Sequence, residues 1–147
     1  MEDVNWEIPL AAYLDEAGEE PLSSCQNLKE HGIHYAFLRH IWSGNVVNLS
    51  DNSHAKLKKI LLDEQISVIG IASDLGKAPA NKLADISDET INNTANICKY
   101  YNASMVRVFI GEHDNYFTAE DIDNWLVRIQ SIFLSHGIQP LIEITPD

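Results

Sequence analysis

The sequence predicts an α/β fold of alternating strands and helices, in the order β-α-β-α-β-α-β-α-β, with mainly parallel pairing and right-handed crossovers. Three observations predict it. Short apolar runs of strand character recur between longer stretches of helical periodicity. Two predicted helices end in the same phrase, His31-Gly32-Ile33 and His136-Gly137-Ile138, each leading directly into a strand. The loop after the first strand carries the acidic run Asp15-Glu16-Ala17-Gly18-Glu19-Glu20. The first two features fit either a flavodoxin-like doubly wound parallel sheet or a little over half of an eight-stranded (β/α)8 barrel, about four βα units plus a fifth strand. A flavodoxin-like domain should cradle phosphate in its first loop, and an acidic run is a poor anion cradle. The partial barrel, a single domain over residues 1–147, is the expected architecture.

The first strand is read at residues 6–13, apolar and aromatic apart from Glu7. Pro21, a residue favoured in a first turn, opens a helix through Leu22, Cys25 and Leu28, and Gly32 supplies its left-handed cap. A second strand over residues 33–40 places Tyr35, Phe37 and Arg39 on one face and Ala36 and Leu38 on the other. Residues 41–49 read as a loop. Ser50-Asp51-Asn52-Ser53 then offers several N-caps to an amphipathic helix carrying Leu57, Ile60 and Leu61.

The third strand, residues 67–72, is nearly all apolar, as expected where both faces are covered. Its exit loop Ser73-Asp74-Leu75-Gly76-Lys77 leads into a polar linker containing Pro79, and Ser87-Asp88-Glu89-Thr90 opens the next helix. The fourth strand, residues 104–111, sets Val106, Val108 and Ile110 on one face and Met105, Arg107 and Phe109 on the other. An inward arginine must be paired or meet an anionic ligand, because an unpaired buried charge is very costly. Asp114 and Asn115 look like turn residues. A helix from Thr118 buries Ile122, Trp125, Leu126, Ile129 and Phe133. In the last stretch, Leu141, Glu143 and Thr145 share one face of a fifth strand, and Ile142 and Ile144 share the other. Glu143 then stands at a strand's carboxyl end, where such folds place their chemistry.

The chain of 147 residues has a formal charge of −12, and no Lys or Arg precedes Lys29. Phosphate backbones are bound through clustered Lys and Arg, so a nucleic-acid surface is not expected. A secretory leader would need a basic start, and no stretch approaches the roughly 20 apolar residues that cross a bilayer. A cytoplasmic protein with no membrane partner is the simplest expectation. Cys25 and Cys98, far apart and without CxxC spacing, are expected to be reduced packing residues.

Four strand ends carry a resemblance: Phe37-Leu38-Arg39-His40-Ile41-Trp42 with Gly44-Asn45-Val46, Ser73-Asp74-Leu75-Gly76-Lys77, Val106-Arg107-Val108-Phe109, and Leu141-Ile142-Glu143. From about residue 30 onward the chain resembles the amino-terminal part of the xylose-isomerase-like TIM-barrel superfamily, in its sugar phosphate isomerase/epimerase branch. The resemblance implies a (β/α)8 barrel in which a divalent metal (Mn, Mg or Zn) at the later strand ends assists proton transfer on a small sugar or sugar phosphate. Glu143 matches the first metal ligand, and the remaining ligands belong to later strands. Arg39, Lys77 and Arg107 match basic positions that face substrate; no catalytic residue is assigned.

Three departures accompany the matches. Phe37 stands where relatives often carry Glu, Asp74 where they usually carry Pro, and a full barrel needs about 250 residues. Other roles for these side chains stay open on the residues themselves. Arg39 and Arg107 suit an ion pair with Glu112 or Glu143 as well as a bidentate grip on phosphate or carboxylate. Lys77, His40 and His113 also suit solvated surface. An open half-barrel leaves the outer edges of its first and fifth strands unpaired, so self-association through strand edges, with no catalysis, is the alternative expectation.

Overall fold

The structure, a computed structural model, describes residues 9–42, 44–112 and 118–143. Its strands in chain order are β1 (Ala11–Tyr13), β2 (Tyr35–Leu38), β3 (His40–Ile41), β4 (Gly44–Asn45), β5 (Ser67–Ala72), β6 (Met105–Phe109) and β7 (Gln139–Glu143). Five of them form the main sheet, where every pair is parallel and the spatial order β1-β2-β5-β6-β7 follows the chain. That order decides between the two architectures. A doubly wound sheet reverses its strand order at a switch point, whereas a barrel adds each strand beside the last. The fold is therefore an open run of barrel strands, and the flavodoxin-like alternative is set aside.

Four helices make the crossovers: α1 (Pro21–Glu30), α2 (Asp51–Asp63), α3 (Asp88–Tyr100) and α4 (Ala119–Ser135). Their starts follow local chemistry. The side chains of Ser50, Ser87 and Thr118 accept from backbone N–H groups of the first turns of α2, α3 and α4, and Asp121 completes a capping box with Thr118. The helices α1 and α4 end at His31-Gly32 and His136-Gly137, with both glycines at positive φ. The repeated phrase is thus a repeated helix cap feeding a strand.

Sheet alternation separates two faces. Ala36, Leu38, Ile71, Val106 and Val108 are buried in one cluster with Leu57, Ile91, Ala95, Ile129 and Phe133 of the helices. Tyr13, Phe37 and Phe109 lie on the opposite, inner face. The Tyr13 and Phe37 rings are 5.7 Å apart, and the Phe37 ring occupies the space a side chain at Gly70 would need. The register between β2 and β5 shifts at Ala36/Phe37, which turns Phe37 towards Gly70.

Four sequence expectations are corrected in detail. The first strand is shorter than residues 6–13: β1 begins at Ala11, and residues 1–8 lie outside the described residues. The second strand ends at Leu38, and β3 instead pairs antiparallel with β4 in a small hairpin. What read as a loop at residues 41–49 is this hairpin plus a 3-10 turn, Val46–Asn48. It is held by Asn45, whose side chain accepts from Val47 N and donates to the Ala72 carbonyl. The polar linker around Pro79 contains a 3-10 helix, Ala80–Asp85, which buries Ala80 and Leu83. The expectations for His113, Asp114, Asn115, Ile144 and Thr145 fall outside the described residues.

Cys25 and Cys98 are free and buried, and burial pushes their thiols up to about 11 and about 12 respectively, so both are inert packing groups. Among the described residues no helix is long and apolar enough to cross a membrane.

Candidate functional site

The carboxyl ends of five parallel strands meet along one rim, and the side chains singled out in the sequence gather there in two groups. Parallel register sets the first. Phe109 of β6 lies opposite Glu143 of β7, and Arg107 lies opposite Leu141, so Arg107 and Glu143 are diagonal neighbours on the inner face. Arg107 Nη1 sits 3.2 Å from Glu143 Oε2. Its Nη2 donates to the Ser73 carbonyl at 3.2 Å and stands 3.9 Å from Asp74 Oδ1. The guanidinium also lies 4.9 Å from the centre of the Phe109 ring. Arg107 is 9% exposed, and its Nε is buried without a hydrogen-bond partner. The mid-strand arginine is therefore paired, and of the two acids expected for it the partner is Glu143, on the neighbouring strand.

A short ladder beyond the strands holds this group in place. Phe109 N donates to the Leu75 carbonyl at 2.8 Å, Gly111 N to Gly76 at 3.1 Å and Glu112 N to Ala78 at 2.7 Å. The loop after β5 thus continues pairing with the chain after β6. Ser73 Oγ donates to the Arg107 carbonyl and accepts from Leu75 N, and Trp125 Nε1 of α4 donates to the Phe109 carbonyl at 2.8 Å. Lys77 leaves this loop exposed, with Nζ 5.7 Å from the Phe109 ring centre. It makes no ion pair among the described residues.

The second group is at the ends of β1 and β2. Arg39 donates through Nε to Asp15 Oδ2 and through Nη2 to Glu16 Oε1, both at 2.9 Å, and lies 4.6 Å from the Tyr13 ring centre. Desolvation works to lower the Arg39 pKa, but the hydrogen bonds and charges of Asp15 and Glu16 outweigh it and raise the pKa above its ordinary value. His40, half exposed, stands 3.7 Å from Asp15 Oδ2. Arg39 is thus in an ion pair, but with the acidic run after β1 rather than with Glu112 or Glu143.

The sequence alone does not mark these acids as partners of Arg39, although a signal exists. An acidic run after one strand and a basic residue after the next are brought side by side when those strands are parallel neighbours. The aromatic pair of Tyr13 and Phe37 is likewise unmarked. Glu143 is one carboxylate held by an arginine, and no group of three His, Cys, Asp or Glu residues able to hold a metal exists among the described residues. A Mg or Mn site needs several oxygen ligands, so the described residues do not by themselves fit a divalent ion.

No protein-family model matches the chain, and no curated protein matches it. Solved structures do. A sugar phosphate isomerase/epimerase from Parabacteroides distasonis superposes with a TM-score of 0.68 at 13% identity, over 97% of this chain and 53% of that one. A xylose isomerase-like TIM barrel protein from Mycobacterium smegmatis, in complex with magnesium, gives 0.67 at 14% identity, over 93% and 55%. An IolI protein with a bound zinc atom gives 0.65 at 13% identity, over 90% and 50%. The chain has the fold of xylose isomerase-like TIM barrels and spans about half the length of these structures.

Proposed function

We propose that this chain is the amino-terminal part of a barrel that isomerises or epimerises a small sugar or sugar phosphate by metal-dependent proton transfer. Glu143 serves as one metal-ligand position, and Arg39, Lys77 and Arg107 border the substrate. The observation that carries this reading is the place of Glu143. It is on the inner face, at the carboxyl end of the fifth sheet strand, beside a buried arginine, in a fold shared with a magnesium-bound and a zinc-bound barrel. In such chemistry a divalent ion stabilises the charge that develops on an enediolate. Its further ligands would come from polypeptide beyond these five strands, and no reaction step is assigned to residues of this chain alone. Arg107 orients the Glu143 carboxylate.

Paramagnetic broadening of backbone NMR signals by Mn tests the ligand position even when binding is weak. The expected result is broadening centred on residues 141–143 and 107–109, lost in Glu143→Gln. Broadening that is unchanged in the variant, or centred on another acidic surface, would remove Glu143 from the site.

A second reading is favoured by one specific observation. Leu141 and Ile142, on opposite faces of β7, are 38% and 42% exposed, so both faces of this strand are only partly covered. A parallel strand is normally buried on both sides. On this reading the chain associates with another copy through its open edges and has no catalytic activity.

A further inference from the structure

We infer that a second binding site, for a small hydrophobic carboxylate, lies at the amino ends of β5 and β6, between the end of α2 and the end of α3. Residues 66–68 lead into β5 and residues 101–102 lead towards β6, so this cavity is at the opposite end of the strands from Glu143. Both strands are interior to the sheet. The site therefore depends neither on the proposed sugar chemistry nor on what lies beyond β1 and β7.

The cavity measures about 290 Å³, at the lower end of small-ligand clefts. Its apolar wall is Leu61, Ile66 and Val68, all buried, with the exposed Leu62 beside them. Tyr101, also part of the wall, is buried, and its hydroxyl is tied to His54 Nδ1 of α2 at 2.8 Å. The wall is thus fixed in advance, and it suits an aryl or branched alkyl body that gains by leaving water.

Three donors line the same cavity: Lys58, Ser67 and Asn102. Ser67 and Asn102 are exposed, so both keep their side-chain donors for a ligand. Lys58 Nζ donates to the Tyr100 carbonyl at 2.7 Å and lies 4.2 Å from the centre of the Tyr100 ring, which leaves it further hydrogens. The acids at the end of α2 are paired with other lysines, Asp63 with Lys59 and Glu64 with Lys29. A helix carboxyl end by itself repels an anion. That of α3 is covered: the carbonyls of Ile97, Cys98 and Lys99 accept from the N–H groups of Tyr101, Ala103 and Asn102, and that of Tyr100 accepts from Lys58. An ammonium beside a hydroxyl and an amide matches a carboxylate whose body rests on the apolar wall.

The helix ends supply a further sign. The helices α1 and α4 end in Gly32 and Gly137 at φ +71° and +72°, whereas the two ends that flank the cavity hold Gln65 and Asn102 at φ +58° and +57°. Glycine is the least strained residue in this conformation. Asn102 therefore sets an amide on the cavity at a position where glycine would suit the backbone better.

Titration of the 15N-labelled chain with benzoate, benzamide and acetate tests this at neutral pH, where a carboxylic acid is ionised. The salt should be about 0.15 M, where the Debye length of about 8 Å screens the chain's overall negative charge. The expected result is that benzoate shifts the amides of residues 58–62, 66–68 and 101–103. Benzamide, which lacks the charge, and acetate, which lacks the body, should bind there at least about tenfold more weakly. Lys58→Met should weaken benzoate about tenfold, and Asn102→Gly about fivefold with its urea midpoint equal or raised. Benzamide binding as tightly as benzoate would overturn the carboxylate class. No response to benzoate, shifts centred on other residues, or an affinity unchanged in both variants would overturn the site. None of these results bears on Glu143, which the Mn experiment tests separately.

Discussion

Gly76→Ala is expected to destabilise the fold by about 3 kcal/mol or more, because strain and collision act together at this position. Gly76 has φ +81°, and a Cβ there would overlap the Phe109 carbonyl oxygen and come within 3.1 Å of the Trp125 ring. Neither obstacle is the free end of a flexible side chain. The carbonyl is fixed by its bond from Trp125, and the loop is fixed by the bonds that Leu75 and Gly76 accept from Phe109 and Gly111. Gly137 separates the two causes, since its φ is +72° but nothing lies within 4 Å of the place a methyl group would take. Gly137→Ala should therefore cost only about 1 kcal/mol, the conformational part. Urea denaturation of both variants gives the comparison. Equal losses would show that the loop after β5 does not press on Phe109 as described.

The second large effect is at Trp125. Trp125→Ala is expected to cost about 4 kcal/mol, in the range for deleting a buried aromatic side chain. The side chain is 1% exposed and packs in the main core. Trp125→Phe keeps most of the volume and removes the donor to the Phe109 carbonyl, so about 1–2 kcal/mol is expected for that bond and the acceptor left behind. The distinction bears on the site. Phe109 is two residues from Arg107 on the same face, and the Trp125 bond ties that end of β6 to helix α4. In Trp125→Phe, amide exchange should quicken at Phe109 and Gly111 more than in the centre of α4.

Much of this arrangement was legible in the sequence because it is periodic or local. Alternation alone put Arg107 with Phe109 and Glu143 with Leu141, and the caps at Ser50, Ser87 and Thr118 were readable from single residues and the runs that follow them. The pairing of Arg107 with Glu143 was readable only as one of two candidates, since the choice of Glu143 over Glu112 depends on Phe109 pairing with Glu143 rather than with a residue one step away. The same holds for Arg39. Its face was clear, but its pairing with Asp15 and Glu16 required knowing that β1 and β2 are adjacent and parallel. The hairpin at His40–Ile41 and Gly44–Asn45 escaped because its strands are two residues each, too short for any period to show. In the segment 80–85 polar residues hid the buried Ala80 and Leu83.

Those pairings change what the basic residues mean. As isolated positions they suggested a grip on an anion; in the structure both arginines are already matched by carboxylates. What else meets this rim depends on the sheet being an open section of a barrel. Among the described residues β1 and β7 each have one neighbour, and β7 is only partly covered on both faces. Uncovered apolar strands seek partners. Light scattering across a wide range of protein concentration measures this directly. The account predicts concentration-dependent dimers or larger species that Ile142→Lys returns towards monomer. A monomer at every concentration, with cooperative unfolding intact, would contradict the open barrel section.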